Sequence, residues 1–150
     1  MTRAVDPFLD AAVAEASAGL VRDAIEEGLR WVSPIGTQTR RVVVATELGG
    51  ITLPAGANLG VLVSSANRDE EVFGPTADEY DLLRVRRNHA AFGFGPHFCS
   101  GHHFSRVQMR IAIQRLFERL PSLRADDDRP TVFAGWEFRA PQHLHVRWDA

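Results

Sequence analysis

The most restrictive feature of this 150-residue chain is a glycine-rich bend that runs straight into a long helix. Phe92-Gly93-Phe94-Gly95-Pro96-His97-Phe98-Cys99-Ser100-Gly101 places two glycines ahead of the only cysteine and a third after it. Glycine reaches backbone conformations closed to other residues, so the segment turns sharply and lets its backbone approach a neighbour closely. A helix is expected over 101–120. Its apolar residues fall on two opposite faces: Phe104, Val107 and Ile111 on one, Met109, Ile113, Leu116, Phe117 and Leu120 on the other. A helix apolar on two sides belongs between two layers rather than on a surface.

The remaining elements follow from period and punctuation. Asp6-Pro7 is a helix start, a capping side chain followed by proline at the first helical position. An Ala-rich helix is expected over 7–18, ended by Gly19, and a second over 20–31, with Val21, Ala24, Ile25, Leu29 and Val32 at helical spacing. Ser33-Pro34 stops it, because the residue before proline avoids the helical region. The period then changes. Arg41 to Thr46 is β-branched, Gly49-Gly50 offers a tight turn and Ile51-Thr52-Leu53 returns, so residues 41–63 read as a β-hairpin region with a further strand from Leu59 to Val63. Asn67 to Ala91 shows no period and is expected to be irregular; loops that long in a compact domain usually serve function. Pro121 ends the long helix, Arg124 to Arg129 reads as a charged loop, and alternation at Leu144, Val146 and Trp148 suggests C-terminal strands within 131–148. The expected class is α+β, mostly helical with small antiparallel hairpins, in one domain.

Composition narrows the function classes. Seventeen Lys+Arg against nineteen Asp+Glu gives a net charge of −2, which lacks the basic excess of a nucleic-acid binder. No run approaches the ~18 apolar residues that cross a bilayer, so no membrane role is expected. One cysteine excludes an internal disulfide framework, and with no apolar leader at the N-terminus a cytoplasmic location is expected.

The chemistry lies at Cys99. At a helix N-terminus, unpaired backbone N–H groups and the helix dipole favour an anion, and a thiol placed there tends towards thiolate, the form that binds metal. His97 lies on the same loop and can pair with a second anion. Read from the residues, four roles remain open. They are a buried structural cysteine, a zinc site with His97, His102 and His103, a nucleophile served by His143 or His145, and ligation of haem iron.

Phe-Gly-x-Gly-x-His-x-Cys-x-Gly, matched at every fixed position by residues 92–101, resembles the haem-ligand signature of cytochromes P450. Glu27-Gly28-Leu29-Arg30 is similar to the Glu-x-x-Arg of that family's K helix. Arg40 stands ten residues after Arg30, where bacterial members place an arginine on a haem propionate. Residues 24–34, 47–56 and 65–69 are also similar to bacterial members.

The resemblance implies a haem b cofactor with Cys99 as axial ligand to the iron, pushing electron density towards it. It implies that Arg40 and His97 neutralise the two propionates and that Phe92 packs beside the sulfur, with Gly93 and Gly101 completing the motif. Backbone N–H groups after Cys99 would tune the iron. Glu27 and Arg30, read alone, are an exposed pair worth about 0.3 kcal/mol; the resemblance makes them a buried structural anchor for the irregular segment. In these terms 20–31 is a K-type helix, 67–91 the meander, 92–101 the ligand loop and 101–120 an L-type helix. Residues 34–39 resemble a stretch that lines the substrate pocket. Arg106 and Arg110 fit a docking surface for an acidic redox partner, equally a solvated helix face.

The implied activity is that of a haem-thiolate monooxygenase. A ferredoxin and ferredoxin reductase would supply its electrons, and a small organic molecule would be its substrate. The match covers about the last third of the family's usual length. The distal helix with its acid–threonine pair falls outside this chain, so no catalytic residue is assigned here and a missing N-terminal half is an expected partner. The alternative is a truncated, non-catalytic haem-binding or interaction module, or a degenerate remnant. The sequence also departs from the family where Pro-x-Arg-Phe is common and Ala77-Asp78-Glu79-Tyr80 stands, which leaves the third member of a Glu–Arg–Arg triad unassigned. Ser100 and His102 replace the commoner Leu and Ala beside the ligand.

Overall fold

One helix, not two, carries the N-terminal region: α1 runs from Pro7 to Val32 without a break at Gly19. The structure is a computed structural model that describes the backbone of residues 7–85, 88–120 and 122–149, and side chains from residue 17 onward. A mid-helix glycine costs only about 1 kcal/mol relative to alanine, and no proline interrupts the hydrogen-bond ladder around it. Asp6 and Pro121, the expected start and stop signals, lie outside the described residues. At the other end α1 stops where expected. Ser33 takes a left-handed φ of 47°, and its hydroxyl donates to the Arg30 carbonyl at 2.8 Å.

The strands form two nested antiparallel pairs. β1 (Thr37–Arg41) pairs with β4 (Asn58–Leu62), Thr37 opposite Leu62 and Arg41 opposite Asn58. β2 (Thr46–Leu48) and β3 (Ile51–Leu53) close across Gly49-Gly50, whose φ values of 59° and 78° suit only glycine without strain. The expected strand from Arg41 to Thr46 is therefore divided. Val42 still bonds Ala57 and Gly56, but Val43 and Val44 are exposed between β1 and β2. The turn Pro54-Ala55-Gly56 ends the partner strand there, and β-branched residues without a partner have no sheet to join. The ladder instead begins at Thr37, in residues read as loop, while Val63 opens a short helix, α2 (Val63–Ala66).

The described residues between 67 and 91 are irregular apart from α3 (Glu70–Phe73), capped by the Asp69 carboxylate on the Glu71 N–H, and a 3-10 turn beginning at Ala90. α4 spans His102–Arg119. Two further pairs follow: β5 (Arg124–Ala125) with β8 (Val146–Arg147), and β6 (Phe133–Ala134) with β7 (Ala140–Pro141). Arg124 and Ala125 are thus strand rather than charged loop, because the acid that follows turns inward. Buried Asp126 accepts from Arg129 and Arg147. The C-terminal segment also pairs with the stretch after α1, through Gly36 N–H to Glu137 and Arg139 N–H to Pro34.

The core that positions the site joins α1, the ligand loop and α4. Ile25, Leu29 and Ala91 are buried together, with Val21, Phe92, Met109 and Ile113 against them. The opposite face of α4 is uncovered. Phe104 is 67% exposed, and Val107 and Ile111 are exposed beside it; Leu116 and Phe117, further along on the side of Met109 and Ile113, are exposed as well. The second layer expected around this helix is not supplied by the described residues. Among them, no helix is long and apolar enough to cross a membrane.

Candidate functional site

The loop 92–101 folds on its glycines. Gly93 and Gly95 have φ of 76° and 64°, conformations that L side chains rarely adopt. Between them the chain reverses, makes a 3-10 turn over Gly95–His97 and returns, so that Cys99 N–H donates to the Phe92 carbonyl at 2.9 Å. His102 N–H then donates to the Cys99 carbonyl at 3.3 Å, and α4 begins with Gly101 as its N-cap residue. The sulfur is thereby held at the start of α4. A Cβ added at Gly101 would stand 3.9 Å from Sγ, so the glycine keeps the space beside the sulfur open.

The flanking candidates approach from β1. A Cβ at Gly93 would meet Gln38 Nε2 at 3.6 Å and the His97 carbonyl at 3.7 Å, which puts β1 against the loop. Arg40 donates to Gln38 Oε1 at 2.8 Å and to the Thr39 carbonyl at 2.9 Å. Arg40 thus reaches the loop through Gln38, not through His97. Both Arg40 and His97 are exposed, and Phe94 and Phe98 stand exposed on the same loop.

Behind the loop, Glu27 and Arg30 form a buried pair, 7% and 2% exposed. Arg30 Nε and Nη2 donate to the two carboxylate oxygens at 2.8 and 2.7 Å. The same guanidinium donates to the carbonyls of Asn67, Ala77 and Glu79, which fixes the meander on α1. Glu27 also accepts from Asp81 N–H at 2.9 Å and Arg84 Nε at 3.1 Å. Burial pushes the Glu27 carboxyl up, but the bonds from Arg30, Asp81 and Arg84 outweigh it and hold the group below the ordinary carboxylate range.

Two residues of this assembly were not singled out in the sequence. Arg84 is the third charged member, and it also donates to the carbonyls of Phe73, Thr76 and Glu79. Asn67 is 1% exposed and links three segments. Its Nδ2 donates to Ser33 Oγ at 2.8 Å, and its Oδ1 accepts from Ala90 N–H at 2.6 Å. Its signals were an asparagine at the start of an irregular stretch and its place within 65–69, which is similar to bacterial members of the family.

The other readings of Cys99 find little in the geometry. His102 Nδ1 is 2.9 Å from Arg106 Nη1, and the His102 ring packs 3.8 Å from His103 and 4.7 Å from Phe98. Among the described residues no group of three or more His, Cys, Asp or Glu is arranged to hold a metal ion. His143 and His145 stack on each other at 5.8 Å in the C-terminal segment. A macrocycle that brings its own four nitrogens needs one soft protein donor, and the loop offers one. The open space at Gly101, the exposed rings of Phe94 and Phe98 and the nearby cation of Arg40 fit such a group.

A single sulfur on a positive-φ glycine loop, braced by a buried Glu-x-x-Arg pair on a neighbouring helix, is the arrangement of haem-thiolate proteins as a class. The family model for Cytochrome P450 matches residues 17–143. The chain is 42% identical over 121 residues to a steroid C26-monooxygenase of Mycolicibacterium smegmatis, an alignment covering 81% of this chain and 29% of that protein. It is 46% identical over 112 residues to cytochrome P450-SU2 of Streptomyces griseolus, covering 73% and 27%. The solved structure of HmtN, a post-tailoring hydroxylase involved in himastatin biosynthesis, superposes with a TM-score of 0.82 at 30% identity, over 95% of this chain and 39% of that one. The chain belongs to the cytochrome P450 family, whose cofactor is haem b. It spans under a third of the length of the two curated relatives.

Proposed function

We propose that this chain is the haem-ligating portion of a P450 monooxygenase, with Cys99 as the axial ligand. The bond from Cys99 N–H to the Phe92 carbonyl is the observation that carries the reading, because it fixes the sulfur at the mouth of α4. When bound, haem iron activates dioxygen, and one oxygen atom is inserted into an organic substrate. This chain's residues bind, orient and shield. Cys99 donates a thiolate, and backbone N–H groups that follow it moderate the negative charge on the sulfur. Arg40 and His97 take the propionates by charge-assisted bonds. Phe92 limits water at the sulfur, and Gly93 and Gly101 leave room for the ring. Glu27 and Arg30 act structurally, by anchoring the meander.

The stretch 34–39, paired with 137–139, is proposed as a wall facing the substrate, a small organic molecule. Electrons would come from a ferredoxin-type donor with its reductase. Proton delivery and the roof of the pocket belong to the part of the family fold that lies outside this chain, and controlled protonation needs a water-excluded cavity. The site of action is proposed to be the cytoplasm. The uncovered face of α4 favours a second reading for the chain taken alone, a haem-binding or interaction module without turnover.

The test is spectroscopic. The chain is expressed, loaded with haem, reduced and exposed to carbon monoxide. A strongly red-shifted Soret band that is lost in Cys99→Ser is expected; identical spectra for the two proteins would reject Cys99 as ligand. Turnover that appears only when the remaining portion of the fold is supplied would separate the monooxygenase reading from the module.

A further inference from the structure

A second charged network, distinct from the Glu27–Arg30 anchor, converges on the ligand loop. Glu26 sits next to Glu27 on α1 but serves α4 instead. Arg106 Nε and Nη2 donate to its two carboxylate oxygens at 2.6 and 2.8 Å, a bidentate pair. His89 Nδ1 accepts from Ala91 N–H at 3.2 Å, so in the neutral ring the proton is on Nε2, which lies 3.2 Å from Glu26 Oε2. Arg106 Nη1 is 2.9 Å from His102 Nδ1, which must accept because a guanidinium only donates. The guanidinium carbon lies 4.5 Å from the centre of the Phe92 ring. Phe92 is the residue whose carbonyl holds Cys99 N–H.

From this geometry we infer that Arg106 is a positioning residue for the ligand: it clamps Phe92 from above, with Glu26 and His89 holding the clamp, and thereby places Cys99. The inference rests on Cys99 being the haem ligand. An ordinary cross-link between helices would need only the ion pair with Glu26. Stacking on Phe92 and the bond to His102 give Arg106 two further attachments, both within the loop and the first turn of α4. Burial pushes the Glu26 carboxyl up, yet the bonds and charges of Arg106 and His89 bring it down to about 2, so the clamp is charged throughout the neutral range. Arg106 in turn is raised above its usual value, chiefly by its bond to Glu26 and in part by the charge of Cys99.

The test uses amide hydrogen exchange on the chain as it exists, with no haem required. In Arg106→Met the Cys99 amide is expected to exchange at least about tenfold faster, while the Leu29 amide in α1 stays within about twofold. Arg106→Lys, which keeps the charge but loses the fork and the stack, is expected to restore only part of the protection. In a Phe92→Leu background, Arg106→Met is expected to add nothing at Cys99. Unchanged exchange at Cys99, equal acceleration of Leu29 and Cys99, or full rescue by lysine would overturn the positioning role. An unchanged carbon monoxide spectrum in Cys99→Ser would overturn the ligand reading separately, so the two failures are told apart.

Discussion

Glu26 keeps its charge against its own burial, and that gives the fold a definite acid sensitivity. Its carboxyl titrates at about 2 in the folded chain against an ordinary 4.5. A depressed acid stabilises the fold fully above the ordinary value and loses that contribution as pH falls through the folded one. Urea unfolding midpoints are therefore expected to drop between pH ~4.5 and ~2, and less steeply in Glu26→Gln than in the parent. Parallel slopes would show that Glu26 is not responsible. Asn67 makes a sharper demand. Asn67→Ala strands the Ala90 N–H in the interior and takes a donor from the Ser33 oxygen, whose hydroxyl keeps its bond to the Arg30 carbonyl. Leaving a buried polar group unpaired costs roughly 1–3 kcal/mol. Asn67→Asp keeps the acceptor for Ala90 and is expected to melt between the parent and the alanine variant.

At the level of helices and loops, Arg84 is the member on which the meander depends. Loss of Arg84 leaves Glu27 its two bonds from Arg30. It takes a donor from the Glu27 carboxylate and from the carbonyls of Phe73, Thr76 and Glu79, however, and unpaired buried polar groups cost roughly 1–3 kcal/mol. Arg84→Met is expected to cost about 1–3 kcal/mol by that reasoning, whereas Arg115→Ala, which breaks only an exposed pair with Glu118, should stay under about 0.5 kcal/mol in chemical denaturation. The contrast explains what the sequence revealed. The ligand loop was readable because its constraints are local: glycines, a cysteine and a helix start within ten residues. Arg84 was not, because it meets Glu27 across 57 positions, and most of its other partners are carbonyls that leave no mark on residue identity. Gly19 and Val43-Val44 misled for a related reason. Each carries a real local preference, yet helix continuity and the reach of the partner strand decided the outcome.

The chain's surface carries the last consequence. α4 has eighteen residues and none is buried, although its pattern is apolar on two sides. Met109 and Ile113 reach the core against α1, while Phe104, Val107 and Ile111 line an uncovered face. Monomeric proteins rarely leave contiguous apolar patches of this kind open, and covering each large side chain contributes about 1.5–3 kcal/mol. Since the alignment covers 29% of the steroid C26-monooxygenase of Mycolicibacterium smegmatis, the cover best matched to that face is the remainder of the family fold. The chain alone is expected to bind a hydrophobic dye strongly. Co-expression with the preceding portion of a bacterial relative should yield a stable complex that no longer binds the dye. Phe104→Glu with Ile111→Glu should abolish the complex and lower dye binding, while the helical circular dichroism persists, because Ile25, Leu29, Met109 and Ile113 are untouched. A dye-silent, tightly folded monomer, or a complex indifferent to both charges, would show that this face of α4 is not where the rest of the fold packs.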